Sequence, residues 1–112
     1  AEDIIVRAMT DGQWVVTVYN DGTDLLSEFD GYRFQFKDNR TVDALRNNAT
    51  VATGVWQGDG YKREITADYP ATAAATLQRL DGVWKIANNN WTWVKATQTI
   101  NGKLTTLELR KQ

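Results

Sequence analysis

The strict alternation of apolar and polar residues is the feature that most constrains how this chain can fold. In Tyr32-Arg33-Phe34-Gln35-Phe36-Lys37 the three aromatic rings fall on one face and the polar side chains on the other. That is a strand with one buried and one wet face. Trp14-Val15-Val16-Thr17-Val18-Tyr19 is rich in β-branched and aromatic residues and ends at the turn signal Asn20-Asp21-Gly22. Strand character returns over 40–45, 50–57, 61–67, 83–87, 91–99 and 104–110. Gly58-Asp59-Gly60 closes one of these strands, and Asn101-Gly102 between the last two is a hairpin signal. Seven or eight short strands at intervals of roughly 8–14 residues predict an all-β sandwich or barrel.

Two segments break the alternation. The alanine-rich stretch before Asp81-Gly82, with Leu77 and Leu80 three apart, predicts a short helix near 70–80 with Pro70 in its first turn. Ile4, Ile5, Ala8 and Met9 predict a short amphipathic helix at the start, too short to be stable without packing. At 112 residues there is room for one core, so a single domain over 1–112 is expected.

Composition excludes several kinds of function. The chain has no Cys and no His, which removes disulfides, thiolate chemistry, the commonest general base and the commonest metal ligand. A net charge of −1 argues against a nucleic-acid partner, which would need a basic stripe. No apolar run reaches the roughly 20 residues of a membrane-spanning helix. Asp21, Asp24, Glu28 and Asp30 form an acidic segment, but their spacing fits no EF-hand, and a solvated connection is the expected reading. Neither an enzyme activity nor a cofactor is expected. Asn39-Arg40-Thr41, Asn48-Ala49-Thr50 and Asn90-Trp91-Thr92 match the N-glycosylation pattern, as Asn-rich turns beside Thr-rich strands will.

Gly-x-Trp occurs three times, as Gly12-Gln13-Trp14, Gly54-Val55-Trp56 and Gly82-Val83-Trp84. Spacings of 42 and 28 residues make no regular repeat. In the second and third copies, Gly marks a turn exit and Trp anchors the next strand. The first opens strand one after the predicted N-terminal helix, and Arg110 stands at the end of the last strand. In this setting the chain resembles the lipocalin superfamily, and in layout the small secreted lipocalin-like proteins common in Bacteroidetes. The resemblance implies a lipocalin-like antiparallel meander, as a barrel or half-barrel of 7–8 strands. It also implies that Arg110 lies over the Trp14 indole where the first and last strands meet, with Gly12 at the closed end. The chain is shorter than the lipocalins, and their Thr-Asp-Tyr motif has only a loose echo in Thr66-Ala67-Asp68-Tyr69.

If the barrel holds a cavity, Tyr32, Phe34, Phe36 and Trp56 are its expected lining, together with Trp84. Trp91 and Trp93, placed on one strand face after Asn88-Asn89-Asn90, are the candidates for a sugar-stacking platform. The partners to weigh are therefore a small apolar or amphipathic ligand inside the barrel, a protein on its surface, and a carbohydrate on the Trp93 face. The relatives are exported, as periplasmic or outer-membrane lipoproteins. Ala1-Glu2-Asp3 without an initiator Met fits a processed N-terminus, with signal and anchor absent from this chain.

Overall fold

Eight antiparallel strands follow one another round a closed barrel in a computed structural model that describes residues 3–112. Helix α1 (Ile4–Thr10) precedes β1 (Trp14–Asn20), β2 (Tyr32–Phe36), β3 (Thr41–Arg46), β4 (Ala49–Asp59) and β5 (Glu64–Asp68). The one-turn helix α2 (Ala75–Gln78) then leads to β6 (Gly82–Asn90), β7 (Trp93–Ile100) and β8 (Lys103–Lys111). Each strand pairs with the next, and β8 pairs back onto β1 from Trp14↔Lys111 to Asn20↔Thr106. The ring is complete, which settles the choice between barrel and half-barrel. Closure gives every strand a neighbour on both sides.

Period-2 alternation places one residue in two inside the barrel. The interior set runs through Trp14, Phe34, Phe36, Val42, Ile65, Trp84, Val94 and Leu109, all buried. Bulges adjust the phase where a strict alternation would expose an apolar side chain. One between Val16 and Val18 brings Tyr19 inside along with Trp14 and Val16. Two turns depend on left-handed backbone. Asn101 (φ 52°) and Gly102 (φ 78°) join β7 to β8, and Asn47 (φ 53°) and Asn48 (φ 61°) join β3 to β4. Positive φ at both central residues matches the right-handed twist of the strands they connect.

Because strands alternate in direction, the connections sort to two ends. Helix α1 and the turns 37–40, 60–63 and 91–92 lie at one end, and 21–31, 47–48, 69–81 and 101–102 at the other. Both ends are covered. At the first, the Asp3 carboxylate caps α1, accepting from Ile5 N at 2.9 Å, and its other oxygen accepts from Gly60 N at 3.0 Å. Ile5, Ala8 and Met9 are thereby turned onto the core. At the second, the strap 69–81 buries Tyr69, Leu77 and Leu80, and the 3-10 turn Leu26–Phe29 buries Phe29 beside Tyr19, ring centroids 5.2 Å apart.

The departures from the sequence reading are local. The helix expected near 70–80 shrinks to one turn, and Pro70 precedes it by five residues instead of entering its first turn. Tyr61, expected at the head of a strand, sits in the 60–63 turn, because β4 runs on through Gly58 to Asp59 and β5 starts only at Glu64. β6 continues through Asn88-Asn89-Asn90, whose side chains reach solvent beyond the barrel wall, so Trp91 lies in a turn and not in β7. The expected processed end at Ala1-Glu2 lies outside the described residues.

Candidate functional site

The barrel interior is the first place to look for a ligand, and it is nearly full. A cavity of about 30 Å³ remains, lined by apolar side chains that include Phe34, Phe36, Ile65, Trp84 and Leu107. That is room for about one water, and an apolar cavity of this kind stays dry.

Three tryptophans, Trp14, Trp56 and Trp84, are part of this packing, and each of these buried indoles is tied to one end of the barrel. Trp14 Nε1 donates to the Met9 carbonyl of α1 at 3.0 Å. Trp56 Nε1 donates to Lys37 O in the β2–β3 turn at 2.8 Å, and its ring meets Phe36 edge-on at 5.0 Å. Trp84 Nε1 donates to Leu80 O of the strap at 2.8 Å. Burying an indole requires a partner for its N–H, and here the partner is each time a backbone carbonyl in an end cover. The three Gly-x-Trp motifs thus mark three struts. Gly82 (φ 113°) sits at the turn exit expected of it, and Gly12 (φ 78°) lies between α1 and β1. Gly54 lies inside β4 instead, where a Cβ would stand 2.7 Å from Asp68 O and 3.0 Å from the Tyr69 ring.

The strap is held by polar ties. Tyr19 donates its hydroxyl to Arg79 O at 2.7 Å, Gln98 Nε2 donates to Asp81 O at 3.0 Å, and Tyr69 N donates to the Asp81 carboxylate at 2.7 Å. Arg79 pairs with Glu28 at 2.8 Å and joins the strap to the 3-10 turn. The hydrogen bond from Arg79 holds the Glu28 carboxyl below its ordinary value of 4.5. Lys37 does the same for Asp43, whose ordinary value is 3.8. Burial pushes Asp81 the other way, above 3.8. For Glu28 and Asp43 a lowered folded value means stability present above the unfolded value and lost as pH falls through the folded one. For Asp81 the cost of burying charge is relieved as pH falls, so it opposes that loss. The thermal midpoint is therefore expected to fall as pH drops below about 4.5. The fall should be shallower in Glu28→Gln and steeper in Asp81→Asn. Equal slopes in all three proteins would show that these ties do not govern acid stability.

Among the described residues, Tyr69 is the one side chain with a polar atom both sealed from solvent and unpartnered. It is 3% exposed, lines the cavity, and its hydroxyl finds no hydrogen-bond partner among the described residues. Burial raises its pKa far above the ordinary phenol value.

Of the residues expected to line a cavity, Phe34 and Phe36 do, and Trp84 joins them. Tyr32 stacks on Phe34 at 6.2 Å with the Arg46 guanidinium 4.9 Å over its ring, toward the strap end. Trp56 packs toward α1, where its ring closes on Gly58 and Ile5. Trp93 is not an interior residue. Its neighbour Val94 takes the inward position, so the indole lies on the outer wall, donating to Glu108 at 2.9 Å under the Arg110 guanidinium at 5.8 Å. Trp91 is held separately, beside Arg7 of α1 at 5.8 Å. The two indoles expected to share a strand face are thus held by different elements.

The pairing of Arg110 with Trp14 is also corrected. Trp14 is directly opposite Lys111 in the β1–β8 register, and Lys111 Nζ stands 5.1 Å over its ring while also reaching Asp11 at 3.2 Å. The reason is parity: Leu107 and Leu109 face inward, so 111 shares their face and Arg110 points out. The Leu107-x-Leu109 alternation carried that signal.

The acidic segment builds turns. Asp21 Oδ1 accepts from Thr23 N, Asp24 Oδ1 from Leu26 N, and Glu28 is spent on Arg79. Asn39 and Asn90 do the same work at their hairpins, each accepting from the Thr two residues on, while Asn48 supplies left-handed backbone. Among the described residues no three His, Cys, Asp or Glu side chains are grouped to hold a metal.

With this geometry in view, the chain can be compared with known proteins. No protein-family model matches it, and no curated protein does. Its fold is similar to that of a DUF4847 family protein from Bacteroides vulgatus. The TM-score is 0.63 over 96% of this chain and 99% of that one, at 14% sequence identity. At that identity the likeness is one of architecture, and it spans essentially the whole barrel.

Proposed function

We propose that this is a filled, non-catalytic barrel of an exported protein, a scaffold that makes its interactions on its outer surface and not in its interior. The observation that carries the reading is the cavity of about 30 Å³. Ligand pockets for drug-sized molecules run to about 300–1,000 Å³. The indole struts support the reading further, since each ties an end cover down over the space a ligand would enter. Export rests on the resemblance to secreted lipocalin-like proteins.

A second reading, a carrier of a small apolar or amphipathic ligand, is favoured by one observation, the unpartnered hydroxyl of Tyr69, one of the residues that line the cavity. A ligand with one acceptor atom would satisfy it. Titration with a fatty acid, a bile acid and a porphyrin, followed by tryptophan fluorescence and by the thermal midpoint, separates the two. The filled barrel gives no saturable change and no rise in midpoint. A one-to-one response that Tyr69→Phe abolishes would overturn it in favour of the carrier.

A further inference from the structure

Two inward positions at the strap end of the barrel are polar. Gln98 is 9% exposed and Thr105 6% exposed, and they stand directly opposite each other in the β7–β8 register. Gln98 Nε2 is spent on Asp81 O. Gln98 Oε1 and the Thr105 hydroxyl have no hydrogen-bond partner among the described residues, and unlike the Tyr69 hydroxyl they are not sealed from solvent. Both residues line an open cleft of about 410 Å³ between the strap and the β7–β8 hairpin. The carboxamide is held in place from behind, since a Cβ on Gly82 would run into it. Hydrogen-bonding groups on buried side chains are rarely left unmade, so the pair calls for an explanation. The larger clefts beside Trp91 and beside Val55 have no unpartnered polar side chain buried in this way among the described residues.

The rest of the lining decides what the cleft can hold. It carries Asp21 and Asp81 and, in the same walls, Arg79 and Lys103. Both cations already face a carboxylate, Arg79 on Glu28 at 2.8 Å and Lys103 on Asp21 at 3.7 Å, so neither is held ready for an anionic group. Glu28 and Asp68 add negative charge behind the lining, which turns anions away further. A cation seated on Asp81 would share the cleft with Arg79 and Lys103. Ile100, 54% exposed, supplies an apolar wall, and Asn101 an amide beside it. A ligand that suits these groups is uncharged, carries several groups that both donate and accept, and has an apolar side. Hydroxyls on a carbon ring meet all three conditions. The volume lies within the range of about 300–1,000 Å³ for small-molecule sites.

We propose that this cleft binds a neutral saccharide unit, with one hydroxyl bridging Gln98 Oε1 and Thr105 Oγ1, neighbouring hydroxyls reaching Asp81 and the Asn101 amide, and a C–H face lying on Ile100. The bridging hydroxyl donates to the carboxamide oxygen and accepts from Thr105, which satisfies both groups at once. The inference goes beyond the filled barrel and does not depend on it, since none of these residues lines the interior cavity.

Amide NMR of the purified protein, titrated with glucose, galactose, mannose and N-acetylglucosamine, tests it. At least one of them is expected to give saturable shifts centred on residues 79–82 and 98–105, with a rise in thermal midpoint. Thr105→Val keeps the shape and removes the hydroxyl, and should weaken binding at least tenfold. Its own midpoint without sugar should match or exceed the parent's, because the hydroxyl bonds to nothing in the protein. Ile100→Ser, at an exposed position, should weaken binding several-fold, and Trp91→Ala should bind as the parent does. No saturable shift with any of the four sugars would overturn the proposal, as would either cleft variant binding as tightly as the parent. Loss of binding in Trp91→Ala would overturn it by moving the sugar to the α1 end. A stronger response to acetate, tetramethylammonium or glycine would overturn it too, by assigning the cleft to a charged ligand. Failure here leaves the titration result for the interior unchanged, so the two readings stand or fall separately.

Discussion

Trp14→Ala is expected to lower the unfolding free energy by about 3–5 kcal/mol, the range for truncating a buried large aromatic side chain. Trp14 is fully buried at the meeting of β1, β2, β8 and α1, so its loss touches every element that closes the barrel at that end. The ring is packed over by Lys111, and its N–H holds the Met9 carbonyl at the C-terminal part of α1. A seven-residue helix has too few internal hydrogen bonds to persist by propensity, so its stability depends on such contacts. The variant should therefore lose α1 protection in hydrogen exchange before the barrel unfolds. Trp14→Phe separates the two contributions. It keeps most of the apolar area and removes the donor, leaving a carbonyl unpaired at a cost of about 1–3 kcal/mol. Denaturant unfolding of both variants measures the difference. A Trp14→Ala cost below about 1 kcal/mol would mean that the barrel closes without this strut.

The β1–β2 seam explains why that end matters so much. β1 and β2 share a single register pair, Trp14↔Phe34, whereas β7 and β8 pair over eight positions. Beyond Trp14 the edge of β1 is covered by the following connection, where Leu25 N donates to Tyr19 O at 2.9 Å. The ring is thus weakest where its first two strands meet, and the buried side chains beneath that seam carry what the ladder does not. Trp14, Phe34 and Tyr19 do this through burial and ring contacts.

The alternation in the sequence carried the strands because each wall residue is either inside or outside, and a two-residue period states which. Phe34 and Phe36 were legible as interior for that reason. The short helix α1 was legible from Ile5, Ala8 and Met9. Parity errors came at the ends of strands. Trp93 and Arg110 carry the outer phase, and Lys111, charged and near the terminus, gives no hint by type that it covers an indole. Trp91 and Tyr61 read as strand because aromatic residues favour strands in general, yet local turn geometry decided their place. The state of the interior was not legible at all. Whether eight strands enclose a pocket depends on how bulky the inward side chains are and how they lean, and Trp14, Trp56 and Trp84 all lean inward to bond an end cover. Pattern alone distinguishes inward from outward, not filled from hollow.

Phe34→Ala bears on that last distinction and is expected to cost about 3–5 kcal/mol while opening a real cavity. Phe34 is almost wholly buried, lines the existing space of about 30 Å³ and stacks on Tyr32. The surrounding wall is a closed hydrogen-bonded ring and so collapses only in part. Removing the phenyl should leave an apolar void adjoining that space, and an apolar void of roughly 150 Å³ binds benzene in other proteins. Benzene is therefore expected to raise the thermal midpoint of Phe34→Ala in a concentration-dependent way, following the mass-action stabilisation of a ligand bound only by the folded state. It should leave the parent unchanged. This pairing of outcomes tests the filled barrel from the inside. If the parent responds to benzene as strongly as the variant, the interior yields to a ligand without any truncation, and the carrier reading with Tyr69 as its polar contact gains the argument. If neither responds while Phe34→Ala still loses its several kcal/mol, the wall has collapsed into the void. Tyr32 and Leu109 would then be the side chains to follow for a changed packing environment.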